Sequence, residues 1–497
     1  MKEMMFKKDG KQLKIKKVWM MTFLTPYFQR ILLVAVVLAG IAQAPPVAAR
    51  DFDFNAAWEQ VRQKSHVLKA EQANMDQAAH QQSATRDLYL PQVTLSAGYL
   101  RLDEAVTLGP DAIFDSMPAG ALAESVFYGM LPGGMSHSQA SAGLTSTISE
   151  RNISSSSVNL LWPVYTGGRI TAAQKIAKAS VEEAKQQHEL KVDGQFETLC
   201  QRYFGVVLTG QILAARIEVE ESLKLHLEHA SLLVKNGQIA EVERLQAEAS
   251  HDRARVDRQK TASDLGITEA ALTRFLQEET TARPTTKLFV NSKLPLLETI
   301  TKKTLNGYAG LGVLDAKEEM ATGLVTVEEG KYYPEVALVG NYNLYEENSL
   351  AADLMPDWGV GISVSLPLID RSGRSGRVKA AKSQIAQIAA LRRQARQDLA
   401  LVVEKTYGLI EQAIAEHNGL VSSQQLAEKT VELREKAFAQ GLSTSLDVVD
   451  ARLYVAGVKI QRAHAAYTYV MELAKLLAIS GQTNEFTQYY QASTLKD

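Results

Sequence analysis

His226 and His229 stand three residues apart in a stretch of helical spacing, so both imidazoles could reach one metal ion from a single helix face. The intervening Leu227-Glu228 matches no ligand signature, and a solvated helix face accounts for the pair as well. Met117, Met130, Met135 and His137 offer donors that a soft cation such as copper or silver would accept, but they are scattered along a segment rich in proline and glycine. Gly307, Gly310 and Gly312 come in the wrong order for a dinucleotide loop, and neither a phosphate loop nor a Gly-x-Ser-x-Gly nucleophile elbow occurs. Cys200 is the single cysteine, which excludes an intrachain disulfide and any multi-cysteine metal or redox motif. The expectation is a protein that is not an enzyme and carries no cofactor and no metal.

The elements that would position these residues are better marked. Lys+Arg 54 against Asp+Glu 56 is a near-neutral balance, which speaks against nucleic acid as a partner. Lys14, Lys16, Lys17 and Arg30 precede an apolar run from Ile31 to Ile41, followed by Ala42-Gln43-Ala44 and Val47-Ala48-Ala49, the order of a secretory signal peptide. The run is well short of the roughly 20 residues of a spanning helix. After Arg50 no window approaches 18 uncharged apolar residues, so further membrane contact requires strands closed into a barrel; a soluble periplasmic protein is the alternative.

The chain is duplicated. Pro91-Gln92-Val93-Thr94-Leu95 and Pro334-Glu335-Val336-Ala337-Leu338 share a Pro-x-Val-x-Leu core. Trp162-Pro163-Val164-Tyr165-Thr166-Gly167-Gly168-Arg169 matches Leu366-Pro367-Leu368-Ile369-Asp370-Arg371-Ser372-Gly373-Arg374 with one residue inserted, and Gly237 through Ala247 matches Gly441 through Ala451. The last two pairs share an offset of 204 residues, from 163 to 367 and from 237 to 441, and three ordered matches point to an internal repeat. The first copy carries extra residues between its first two landmarks, in the stretch Leu102 to Ser155. Gly109-Pro110, Pro118, Pro132-Gly133-Gly134 and the run Ser154 to Ser157 give it the composition of a large exposed loop.

Val93, Leu95, Ala97 and Tyr99, and Val158, Leu160, Trp162 and Val164, alternate with small or polar residues at the period of a strand. Trp358, Val360, Ile362, Val364 and Leu366 do so against Gly359, Gly361, Ser363 and Ser365, and Val336, Leu338 and Tyr342 supply a fourth strand. Each is near the 9 to 11 residues of a transmembrane strand, with Tyr and Trp at the ends. A half-buried sheet in a soluble domain gives the same alternation. Four strands cannot enclose a lumen, so strands that meet lipid require several chains to share one barrel. Most of the remainder reads as helix: Arg169 to Lys235 and Ser375 to Ala439 lack proline and are long enough for rods of about 100 Å. Leu446, Val449, Leu453, Ala456, Ile460, Ala463, Tyr467, Val470, Ala474 and Leu477 form a heptad seam, and Gly237 and Gly441 suit turns between paired helices.

Taken together, the Pro-x-Val-x-Leu strand starts, the Pro163 to Arg169 strand exit and Gly441-Leu442-Ser443-Thr444-Ser445-Leu446-Asp447-Val448-Val449-Asp450-Ala451 resemble the TolC-type outer-membrane efflux family over roughly Phe52 to Gly481. The resemblance implies a mainly α fold with a small β-barrel contribution: duplicated long helical hairpins and four transmembrane strands per chain, in a homotrimer with one shared barrel above an α-helical periplasmic tunnel. It implies an exit duct in the outer membrane, its helices extending into the periplasm, that works passively with a periplasmic adaptor protein and an inner-membrane pump in efflux or type I secretion. It also implies an acidic constriction at the hairpin tips, where Asp447 and Asp450 match; the first repeat places Glu243 opposite Asp447 and Gln246 opposite Asp450, and Ser443 stands where some relatives carry a charged latch partner. Read from the residues alone, these carboxylates also suit a solvated first helical turn, where acids favour the positive helix end.

The expected organisation is a leader over 1–49, a first repeat over 50–280, a linker over 281–300, a second repeat over 301–481 and a tail over 482–497. A non-conducting structural or adhesive coiled-coil envelope protein is the competing function. It would need the helices but not the small polar strand face of Gly359, Gly361, Ser363 and Ser365.

Overall fold

The protein is represented by a computed structural model that describes residues 50–133, 135–346, 356–369 and 371–494; the leader expected over 1–49 lies outside the described residues. Strand β1 (Arg50–Phe52), helices α1 (Phe54–Lys64) and α2 (His66–Arg86) and strand β2 (Gln92–Arg101) come first. The excursion then holds β3 (Val106–Leu108), α3 (Pro110–Asp115), α4 (Gly120–Gly129), α5 (His137–Leu144) and β4 (Ser146–Ser149). Strand β5 (Asn152–Tyr165) returns to helices α6 (Arg169–Lys235) and α7 (Glu241–Phe275) and the short strand β6 (Ala282–Pro284). The second half follows as α8 (Leu297–Gly307), α9 (Ala309–Gly330), β7 (Glu335–Glu346), β8 (Trp358–Ser365), α10 (Arg374–Ala439) and α11 (Ser445–Ile479), and the chain closes on α12 (Phe486–Thr494).

Helix lengths carry the duplication into three dimensions. α1, α2, α6 and α7 span 11, 21, 67 and 35 residues, and α8, α9, α10 and α11 span 11, 22, 66 and 35. At 1.5 Å per residue α6 is about 100 Å long. α2 lies along its first half, held by Ser65 Oγ to Gln195 at 3.3 Å and by Gln174 Nε2 donating to Thr85 O at 3.2 Å. α7 lies along its second half, through Arg202 donating to Ala271 O and Arg216 paired with Asp257.

The stretch Leu102 to Ser155 is corrected from a plain loop. It folds into three short helices enclosed by the antiparallel β3–β4 pair, and Ser154 to Ser157 belong to β5, opposite Tyr99, Gly98, Ala97 and Ser96 of β2. A serine run shows no apolar alternation, yet its backbone bonds as well as any other once a strand lies alongside. The heptad seam of α11 is also broader than expected. Val449, Ala456, Val470, Ala474 and Leu477 are buried, but so are Val448, Val455, Val458, Tyr469, Leu473 and Leu476, while Leu446 and Leu453 are exposed. The cause is that α11 packs against both α10 and α6, which requires two adjacent apolar stripes.

The main core is a belt at mid-height on the long helices. Phe54 lies within 6 Å of the rings of Phe196, Tyr203, Phe204 and Phe486, so residues from both ends of the described chain meet on α6. β1 pairs in parallel with β6, and the buried Tyr203 hydroxyl donates to Phe52 O at 2.7 Å while accepting from Thr285 N and Thr286 N. Residues 282–290 are thereby tied into the core by backbone bonds and by Phe289.

On α6 beside this belt, burial raises Asp193 to about 7, with Glu189 and Glu197 adding repulsion. An unfolded aspartate titrates near 3.9. The native state therefore holds the extra proton between those values, and its stabilising contribution is complete below about pH 4 and lost as pH rises through about 7. Asp193→Asn removes that dependence. Circular-dichroism melts of the parent are expected to drop more between pH 5 and pH 8 than those of D193N; parallel curves would refute the assignment.

Candidate functional site

Two regions of the fold leave groups unused by packing: the free ends of the helical hairpins and the four-stranded sheet. At the first tip, Gly237 lies between α6 and α7 with φ +67°, its N–H donating to Val234 O and Gln238 N donating to Leu233 O. At the second, Gly441 has φ +74° and the same pair of bonds forms from Gly441 N to Phe438 O and from Leu442 N to Ala437 O. This double bond closes the last turn of a helix and requires a left-handed residue.

α11 then begins on a reciprocal cap. Asp447 N donates to Thr444 Oγ1 at 3.2 Å and Thr444 N donates to Asp447 Oδ2 at 2.9 Å, with Ser443 Oγ donating to the same oxygen and Arg434 3.5 Å from Oδ1. The bond from the Thr444 backbone leads the causes that hold Asp447 below its ordinary value of 3.8, followed by the Thr444 and Ser443 hydroxyls. Glu243 reaches across from the first hairpin and accepts from Ser445 N at 2.7 Å. Two carboxylates, one from each repeat, therefore sit on consecutive amides of one helix start. Asp450 lies beyond that group and is exposed.

Ser445 is the joint of the two hairpins, and nothing in the sequence singled it out. It is fully buried, and its hydroxyl meets His226 Nε2 at 2.6 Å. Burial, with Arg452 and His229 adding repulsion, lowers His226 to about 4, so it is neutral at physiological pH. His226 is thus committed to packing against Phe438 and Ser445, whereas its neighbour His229 is exposed. The Thr444-x-x-Asp447 capping box was legible as a helix start; the partners from the first hairpin were not, because they are more than 200 residues away.

The sheet runs β2-β5-β7-β8, antiparallel throughout, with β2 and β8 on its edges. Helix junctions lie at one end, near Gln92, Tyr165, Glu335 and Ser365, and the excursion leaves from the other. On one face Leu95, Val158, Tyr342 and Trp358 are in register, as are Leu338 and Ile362. Most apolar side chains there stand uncovered, Leu95 being 68% exposed and Ile362 72%, while Val158 and Leu338 on the central strands are half-buried. The opposite face carries a polar ladder: Asn341, in register with Asn159, donates its Nδ2 to Asn159 Oδ1 at 2.9 Å, and Asn159 Nδ2 donates diagonally to Ser96 Oγ at 3.4 Å. A half-buried sheet of a soluble domain would cover its greasy face; this one leaves it open and bonds its polar face to itself.

Among the other residues singled out above, Cys200 is buried in the belt core and burial pushes its thiol well up, which makes it inert. Met117, Met130 and Met135 are exposed. His137 gathers with Asp111 and Glu124. No described helix is long and apolar enough to cross a membrane.

A family model described as outer membrane efflux protein matches residues 57–277 and 304–482. No curated protein sequence matches. Among solved structures, the outer membrane protein VceC from Vibrio cholerae superimposes with a TM-score of 0.68 at 14% identity, over 86% of this chain and 96% of that one. The Campylobacter jejuni CmeC outer membrane channel gives 0.65 at 16%, over 89% of each chain. The open state of the Neisseria gonorrhoeae MtrE outer membrane channel gives 0.64 at 16%, over 86% and 89%. At these identities the likeness is one of fold.

A Cβ built on Gly441 meets nothing within 4 Å, so Gly441→Ala changes only the backbone preference. Its expected cost is about 1 to 2 kcal/mol, confined to the tip, whereas Gly441→Asn costs less. Hydrogen-exchange mass spectrometry should show faster exchange at the peptides flanking 441 and none at the belt; unchanged exchange in G441A would contradict the left-handed turn.

Proposed function

Because the chain belongs to the outer membrane efflux protein family, we propose that three copies close one twelve-stranded barrel in the outer membrane and prolong it into the periplasm with their helical hairpins. The observation that carries this is the sheet: an uncovered apolar face, a self-bonded polar face and two free edges on only four strands. Lipid tolerates the first and forbids the last, since unpaired amides in hydrocarbon cost several kcal/mol each. Pairing β2 of one copy with β8 of the next removes the edges and turns the Ser96-Asn159-Asn341 ladder onto a water-filled lumen. A purely structural coiled-coil protein has no use for that ladder, which favours conduction.

In this reading the protein is a passive duct whose driving force and choice of substrate come from a periplasmic adaptor and an inner-membrane pump. The hairpin tips form its periplasmic entrance. Asp447 and Glu243 hold the start of α11, and Asp450, which caps nothing, is the carboxylate left to face permeating ions. Three carboxylates around a narrow mouth concentrate cations and repel anions. Asp447 and Glu243 serve the constriction by fixing where the Asp450 turn stands.

Planar-bilayer recordings of the purified trimer test the duct. Steady cation-selective currents are expected for the parent, with selectivity reduced in Asp450→Ala and the mean conductance altered in Glu243→Ala. A protein that inserts but never conducts would return the reading to a scaffold. The barrel has its own test in unfolding titrations from liposomes. Ile362→Arg on the apolar face is expected to cost about 2 to 4 kcal/mol and Ser363→Arg on the polar face much less; equal costs would argue against a lipid-facing sheet.

A further inference from the structure

We propose that Asp111, Glu124 and His137 form a binding site for a borderline divalent transition cation, of which zinc is the representative, in the excursion between β2 and β5. The three come from three different helices: Asp111 from the first turn of α3, Glu124 from α4 and His137 from the first residue of α5. His137 Nε2 lies 3.4 Å from Asp111 Oδ1 and 3.7 Å from Glu124 Oε1, and all three ligand atoms fall within 4.8 Å of one another. A tetrahedral ion with bonds of about 2.1 Å needs its ligands about 3.4 Å apart. Two of the three separations are therefore close to those of a coordinated set, and the third is at most 4.8 Å.

Two of the ligands are held in place by neighbours that do not themselves ligate. Tyr128 Oη donates to Asp111 Oδ1 at 2.5 Å and Ser141 Oγ donates to Oδ2 at 2.7 Å. The Tyr128 ring lies flat on the His137 imidazole, with centroids 3.7 Å apart and planes 20° from parallel. Such outer contacts fix carboxylate and imidazole orientation ahead of metal binding. Phe114 and Phe127 in turn pack on Tyr128 at 6.4 and 5.3 Å.

The donor set selects the ion. One imidazole nitrogen and two carboxylate oxygens leave a fourth position for water, which suits zinc; calcium wants six or more oxygens, and a soft monovalent ion wants sulfur. The side chains of His137 and Asp111 are about half exposed, so an ion reaches them from solvent. The site also has something to do. Only Pro110, Gly120 and Ala140 of the three helices are buried, the rings of Phe114, Phe127 and Tyr128 being half-buried, and an ion bound by one residue of each helix would add a clip to that small cluster. The inference rests on the excursion alone and is independent of conduction.

Tag-free, full-length protein in detergent micelles, titrated with zinc chloride by isothermal calorimetry, is the test. One ion per chain with micromolar affinity is expected, and zinc should protect the excursion from limited proteolysis. Glu124→Gln and His137→Gln should each weaken binding about tenfold or more, and Tyr128→Phe by a comparable factor through lost orientation. Glu124→Gln keeps the side-chain shape, so its zinc-free digestion pattern should match the parent. His229→Gln, on the long helix, should bind as the parent does. No saturable binding up to millimolar zinc, or binding that survives in both Glu124→Gln and His137→Gln, overturns the site.

Discussion

The sheet of one chain stops at β2 and β8 with its outer amides and carbonyls facing no partner among the described residues. In water that would be a modest liability; in hydrocarbon it is prohibitive, because nothing there replaces the missing bonds. Much else in the molecule can be understood as a response to this one constraint. A barrel shared between copies needs each copy to deliver its strands at a fixed height and tilt, and the strands are only 8 to 14 residues long. Rods of 67 and 66 residues that begin directly after β5 and β8 set that height, starting on glycines with left-handed backbones at 168 and 373.

Long paired helices need a place where their spacing is enforced, and the aromatic belt supplies it. Phe54 and Phe486 come from opposite ends of the described chain and meet over Phe204 on α6, while β1 and β6 close a strap around the same level. Glu278 anchors that strap: burial disfavours its charge, but Lys64, Gln60 and Arg50 together outweigh burial and hold its carboxyl below the usual range. Toward the tips the core narrows to a small cluster of Ala230, Ala247, Phe438 and Val448, with Ser445 bonded to Glu243 and His226. Stability is therefore concentrated at mid-height, and the ends of the hairpins are the parts most easily rearranged.

Periodicity and glycine punctuation carried most of the architecture in the sequence. Arg169 to Lys235 reads as one helix because no proline interrupts it, and it is one. Val360, Ile362 and Val364 announce a strand with one greasy face, and that face is uncovered. What was hidden was hidden for physical reasons. The serines at 154–157 bond through backbone, which has no composition. The width of the buried stripe on α11 depends on how many neighbours it has, which a single helix cannot reveal. Of the candidate site, Gly237, Gly441 and the Thr444–Asp447 cap are local and legible; Ser445 with His226 and Glu243 is a contact between repeats and leaves no local mark. His137 was noticed among methionines, but its carboxylate neighbours come from two other helices.

The duplication is close in length and unequal in chemistry, and that inequality has a symmetry consequence. In the proposed trimer, three duplicated chains would present six near-equivalent hairpin ends, a pseudo-sixfold ring, yet position 450 is aspartate where its repeat partner 246 is glutamine. Tips with and without a carboxylate at this position would then alternate around the ring, reducing it to true threefold. A rearrangement that swings only the α10–α11 ends outward would remove the charge from the axis while the α6–α7 ends stay in place, so the mouth could change its field and its width in a single movement of half its staves.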